Sequence, residues 1–339
     1  MKDITDFSTI PEDDIKSGAY TFKNIFEVYK YIQFLKWNIG WYAAPNFEVM
    51  ELTENHVVAS PTPFQPLYRG QSCYYDKCLP SLYRKKWTPI QTLERLVQIE
   101  DFKIILNDNP EIQDTLKAGL VVNYDGLAQH YGIETNIIDL TNSFGVAAFF
   151  ATSDYDSVTG FYSPVREEIR KGVIYFLPMG IFNPAALMDI NRNQVWPIGM
   201  EALPRPGEQR GFGAYLKKDQ DFHHLGGVHK YFFWQNEQAS IECHRLMGFG
   251  SVLFPYDPMV EKVWCMRKYR IYGKDSINKV IIEHPELGFN TSTIMEELIK
   301  DGCHIATSTP FRYTEGELKF ITDRYHKNYP GSFQPENKQ

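Results

Sequence analysis

The run Lys171-Gly172-Val173-Ile174-Tyr175-Phe176-Leu177-Pro178 constrains this chain more than any other stretch. Val173 to Leu177 are apolar without a break, rich in β-branched and aromatic types, and closed by a glycine and a proline. Such a run is a strand buried on both faces, and its ladder needs partners on both sides. Further strands are therefore required, and the pattern offers them at Leu67-Tyr68, at Asn136 to Leu140, at Tyr231-Phe232-Phe233-Trp234 and at Ser251-Val252-Leu253-Phe254-Pro255. Phe47, Val49 and Leu52 alternate like a strand as well.

Helical periods fill the intervals. Ile25, Phe26, Tyr29, Ile32, Phe34 and Leu35 return every three or four residues behind Asn24, an N-cap type. A second helix runs from Thr92 to Leu106, broken by Asn107-Asp108-Asn109-Pro110, and a shorter one lies around Ile112 to Leu116. Asn123 or Asp125 caps a helix that Gly132 closes, and Thr141, Asn142 and Ser143 precede the apolar run Phe144 to Ala151. Asn236 caps a helix through Met247. Beyond Val260 the pattern predicts a strand through Ile271 and helices near Ile277 to His284 and Thr293 to Lys300. Residues up to about Phe22 read as a polar surface arm, Asn183 to Gly199 as a loop with a helical turn at Ala185 to Asp189, and the segment after Tyr329 as a polar tail. The expected fold class is α+β: a mixed, mainly antiparallel sheet with helices packed on it, in one compact body.

Composition excludes several classes. A chain with 43% hydrophobic and 15% aromatic residues is ordered and globular. Net charge −7 and a pI near 5.8 give no general attraction to phosphate backbones or anionic lipid, so a nucleic-acid role would need a local patch, such as Arg84-Lys85-Lys86 or the Lys262 to Arg270 group. The longest apolar run, Gly145 to Ala151, is far too short to span a bilayer, so no membrane partner is expected. The first residues lack a signal or transit design. Five cysteines, an odd and scattered set, indicate neither a disulfide scaffold nor a zinc ribbon and fit a reducing cytoplasm. His223, His224, His229, Cys243 and His244 lack companions at ligand spacing, so no metal is expected.

Polar groups are concentrated in three places. Leu67-Tyr68-Arg69-Gly70-Gln71 places an arginine and a glycine at a strand end, where a ligand or another backbone comes close. Ala128-Gln129-His130-Tyr131-Gly132, followed by Thr135, Asp139 and Thr141, ends a helix and forms a strand. Arg205, Glu208, Gln209 and Arg210 lie in a proline- and glycine-rich stretch. Each has two readings. Arg69 is a site arginine or the structural partner of Asp139; His130 is a satisfied core histidine or a general base; the Arg205 to Gln209 stretch is a site or a solvated loop. The site reading requires Arg69, Gln129, His130, Asp139, Thr141 and Gln209 to converge on one cleft.

These strings, together with Leu79-Pro80-Ser81-Leu82-Tyr83-Arg84 and the Arg205, Gln209, Gly211, Phe212 set, resemble the FRG domain, named for its Phe/Tyr-Arg-Gly motif, over roughly Phe64 to Pro258. A weaker likeness is to ADP-ribosyltransferases of the arginine-serine-glutamate class: Arg69 matches their first element, Thr141 or Ser143 stands for the second, and Gln209 falls in order for the third. The sequence departs from that class at Gly211, where it has glutamate; an amide at Gln209 cannot take up a proton as that carboxylate does. The resemblance implies an ADP-ribosyltransferase-like core and an NAD-using transferase, a toxin or phage-defence effector by analogy. Arg69, His130 and Gln209 would be catalytic, and Tyr68, Gly70, Gln71, Gln129, Asp139, Thr141, Ser143 and Arg205 would bind NAD or a similar nucleotide; the acceptor is unspecified. The other class is a non-catalytic module that senses a nucleotide or a protein. The division implied is a helical extension over 1–60, an FRG-like α+β domain over 61–260, and a C-terminal extension over 261–339 packed on the same body.

Overall fold

The computed structural model describes residues 5–39, 47–53, 56–61, 66–157, 159–167, 169–178, 195–198 and 203–328. The expected turn at Ala185 to Asp189 and the tail after Tyr329 lie outside them. The first ten strands are, in chain order, the hairpin β1 (Phe47–Thr53) and β2 (His56–Pro61), β3 (Pro66–Gln71), β4 (Ile137–Thr141), the short pair β5 (Ser153–Tyr155) and β6 (Tyr162–Pro164), β7 (Lys171–Pro178), β8 (Val195–Pro197), β9 (Gly211–Tyr215) and β10 (His229–Trp234). Six of them form the main sheet in the order β10-β7-β3-β4-β9-β8, and every neighbouring pair is antiparallel. Strand β7, the run on which the sequence insists, has β10 on one side and β3 on the other. The fold is α+β.

The helices divide between two cores. The segment before the sheet is no mere arm: it forms α1 (Glu12–Ser17) and α2 (Ile25–Ile39), buries Ile15 and Phe22, and bonds Phe22 to the edge of β10. Its apolar side is what overrides its charge. These helices cover one sheet face, where Ile25, Val28 and Ile32 meet Ile174, Phe176, Tyr231 and Phe233. The second core surrounds α3 (Pro89–Leu106), which opens with a capping box between Thr88 and Gln91, three residues earlier than its apolar pattern predicts. Leu93, Val97 and Phe102 of α3 pack with Leu127 and Tyr131, with Ile137 of β4, and with Met259, Val263, Tyr272, Ile277 and Leu298. Helix α4 (Pro110–Lys117) follows α3, and α5 (Tyr124–His130) begins where Asn123 Oδ1 accepts from the Gly126 amide at 2.9 Å.

Three expected elements are corrected. Ser251 to Pro255 is not a strand. Gly248, Phe249 and Gly250 have φ of 55°, 53° and 93°, which coils the chain into a 3-10 turn and delivers Leu253 to an interior cluster with Val146 and Phe149. The stretch from Val260 is a helix, Pro258–Tyr269, started by Asp257 as N-cap and Pro258 at the first position; only Ile271–Gly273 is extended. The proline- and glycine-rich stretch holds a short helix, Pro204–Glu208, and then β9. Strand β9 is disguised by Gly211 and Gly213, and the crowding explains both: a Cβ on Gly211 would lie 2.8 Å from His130 Nε2, and one on Gly213 2.7 Å from Ile137 Cγ2.

Candidate functional site

Strands β3 and β4 lie side by side in the middle of the sheet, yet they share a single registered pair, Tyr68 with Thr141. Beyond it Asp139 is left facing β3 without a ladder partner there, and the Arg69 guanidinium takes that place. Arg69 Nη1 donates to the Asp139 carbonyl oxygen at 2.9 Å. The expected ion pair between Arg69 and the Asp139 carboxylate is therefore replaced by a side chain to main chain bond. Helix α6 (Phe144–Ala151) closes the other side of β3, with Ser143 as its N-cap. Gly70 makes this closeness possible, because a Cβ there would fall 1.8 Å from the Ala147 carbonyl oxygen.

Between these elements lies a cleft of about 610 Å³. Arg69, Gln129, His130, Asp139, Thr141 and Gln209 all line it, as do Tyr68, Gly70 and Gln71. Two expected residues stand behind its wall. Ser143 is occupied as the cap of α6, its Oγ accepting from the Val146 amide at 3.4 Å. Arg205 lays its guanidinium over Tyr131 and Phe254, 5.6 and 5.7 Å from the ring centroids. The cleft also has walls beyond the expected site residues: Arg84, Arg170 and Asp154, with Phe150, Tyr155, Tyr162 and Phe254 as an aromatic side. Arg84 stood within the Leu79 to Arg84 string and was legible there; Arg170, Tyr162 and Phe254 carried no local signal.

Two hydrogen-bond chains explain the polar strings. In the first, Ser81 Oγ and Thr135 Oγ1 both donate to Gln129 Oε1, at 3.1 and 2.7 Å. The Gln129 amide nitrogen is thereby aimed at Asp139, whose Oδ2 accepts at 3.3 Å. In the second, Gln209 Nε2 donates to the Leu253 carbonyl at 3.0 Å, so Gln209 Oε1 is the acceptor for His130 Nδ1, also at 3.0 Å. Thr141 Oγ1 donates to the Gln209 carbonyl at 2.8 Å and holds that residue against β4. The Gln209 amide is engaged at both ends and positions His130.

The electrostatics follow from burial. Desolvation lowers the His130 pKa below its ordinary value, with Asp139 opposing, so the ring is neutral near pH 7. With Nδ1 carrying the proton, the lone pair is on Nε2. The guanidinium of Arg84, although the residue is partly exposed, is pushed down first by desolvation and then by the charge of Arg69. Desolvation and then Tyr155 raise Tyr162 to about 12, which keeps that wall neutral. Arg170 donates to Asp154 Oδ1 at 2.6 Å. The cleft thus combines cationic donors, a neutral imidazole, a carboxylate and an aromatic side. That composition suits a ligand with anionic, polar and flat apolar parts.

Fold and site together define an α+β protein with a cleft opened in the middle of an antiparallel sheet. The family model of the FRG domain matches residues 65–159, and the chain carries an FRG domain there. The match includes the three strings that supply Arg69, Ser81, Gln129, His130, Asp139 and Thr141, whereas Gln209, Arg170 and Phe254 join the site from outside it. Neither the curated proteins nor the solved structures hold a match to this chain. Among the described residues, no helix is long and apolar enough to cross a membrane.

Proposed function

We propose that the cleft is a nucleotide site, with NAD the leading candidate substrate, and that the protein is an ADP-ribosyltransferase-like enzyme. The observation that carries this reading is the neutral His130, its Nε2 an acceptor, in a cleft of about 610 Å³ that Arg69 also lines. That volume falls within the roughly 300–1,000 Å³ of ligand sites. Arg69 and Arg84 would hold phosphate, and the aromatic side would stack on a ring. His130 Nε2 would accept the proton of a water or acceptor hydroxyl while its oxygen bonds to the ribose carbon. The carbon–nitrogen bond to nicotinamide breaks in the same step, its electron pair neutralising the pyridinium ring. A toxin or phage-defence role would follow from NAD consumption and rests on analogy alone.

The second reading is a binding module that senses the nucleotide without turning it over. One feature favours it: Gly211 stands where the transferase class has glutamate, and Gln209 is committed to His130. The experiment incubates purified protein with NAD and follows both melting temperature and nicotinamide release. Arg84→Ala is the informative variant, because among the described residues the Arg84 side chain makes one hydrogen bond, from Nε to the Leu79 carbonyl at 2.9 Å. Stabilisation and release, both reduced by Arg84→Ala, support the enzyme. Stabilisation without release supports the sensor. If NAD does neither, the nucleotide reading is wrong.

A further inference from the structure

Several buried polar atoms around the cleft have no hydrogen-bond partner among the described residues, and they sort by chemistry. His130 Nε2 and Asp139 Oδ1 are two of them. The Gln209 amide, oriented by the Leu253 carbonyl, requires the proton on His130 Nδ1, which leaves Nε2 able only to accept. The Asp139 carboxylate is held through Oδ2 by Gln129, whose own orientation is imposed by Ser81 and Thr135. Arg69 takes the Asp139 main chain and not its carboxylate, so Oδ1 remains a charged acceptor with no donor. Gly211 adds to the design: any side chain there would meet His130 Nε2.

We infer that this β4 side of the cleft receives the 2-hydroxyl of a ribose, which donates to Asp139 Oδ1, while the water or acceptor hydroxyl beside it donates to His130 Nε2. Two acceptors require two donors, and buried acceptors left unpaired are costly. A phosphate cannot serve there, since its oxygens only accept and would be repelled by the carboxylate. The anionic part of the same ligand belongs instead with the arginines, where Arg69 Nε and Arg170 Nε are buried donors without a partner. The cleft so read takes ribose phosphates and discriminates against their deoxy counterparts. This assignment rests on the nucleotide reading and adds the sugar chemistry and its orientation to it.

The test measures binding of ribose 5-phosphate, 2-deoxyribose 5-phosphate and NAD by calorimetry to wild type and to Asp139→Ala. Wild type should bind ribose 5-phosphate at least tenfold tighter than the deoxy sugar, because a site built to bond a hydroxyl rejects a ligand that lacks it. In Asp139→Ala the two sugars should bind alike. Equal binding of the two sugars to wild type, or binding of neither, overturns the inference, and this comparison does not depend on the variant folding. NAD binding without sugar discrimination sinks the hydroxyl assignment and leaves the nucleotide site standing. Sugar discrimination without NAD binding does the reverse.

Discussion

Gly70 and Gln209 show how single residues set this site. At position 70 the backbone of α6 leaves no room for a methyl group, and the nearest atoms are main chain and cannot rotate away. Gly70→Ala is therefore expected to cost about 3 kcal/mol, the upper part of the range for overpacking, read as a lowered urea midpoint. An unchanged midpoint would show that α6 can slide on β3. Gln209 acts through His130. Gln209→Leu removes the acceptor for Nδ1–H and should destabilise by about 1–3 kcal/mol. It should also let the imidazole exchange its proton between the two nitrogens. Nitrogen chemical shifts of the His130 ring report this directly, and a ring that stays in the Nδ1–H form would contradict the positioning role.

At the scale of elements, the site depends on how helices are tied to strands and to one another. Asp101, fully buried on α3, accepts from the Gly273 amide at 3.0 Å and from Ser276 Oγ at 2.6 Å, and so anchors the start of the helix Lys274–Glu283. Asp101→Ala leaves those two donors buried and should cost about 3 kcal/mol. Hydrogen exchange is expected to rise first over residues 274–283 while β7 stays protected. Uniform loss of protection would instead mean that the C-terminal helices and the sheet unfold as one unit. A neighbouring cluster, Glu94, Asp301 and Cys303, has ligand-like geometry. Arg270 already bridges its carboxylates, Nε to Glu94 at 2.9 Å and Nη2 to Asp301 at 2.5 Å, and serves there as the cation.

For the whole molecule, burial of imidazoles predicts an acid-sensitive fold. Desolvation lowers the pKa of His130, His223, His229 and His244 in the folded state. The unfolded chain protonates these groups near their ordinary value, about 6.5. Below that pH the unfolded state binds more protons than the folded one, so stability is full above about pH 6.5 and declines as pH falls through it. The urea midpoint should drop between pH 7.5 and pH 5.5. A flat midpoint would show that these rings take up protons in the folded state without penalty.

Much of this architecture was legible from local chemistry. The β7 run demanded partners on both sides, the capped amphipathic periods specified α2, α3 and α5, and the polar strings named six residues that meet in one cleft. These features are encoded by residues close in sequence, where periodicity and capping act. What failed locally failed for reasons of packing. Apolar Val252 to Phe254 resembled a strand but follows three residues with positive φ, and β9 looked like a loop because His130 and Ile137 press on its glycines. The sequence paired Arg69 with Asp139, and the structure keeps that residue but makes its main-chain carbonyl, not its carboxylate, the acceptor. That outcome depended on β3 and β4 parting after one registered pair, which left a carbonyl where a carboxylate was expected to do the bonding. Arg170, Tyr162 and Phe254 joined the cleft for the same reason: a cavity wall is assembled from chain segments brought together by the sheet order, and no local pattern carries that information.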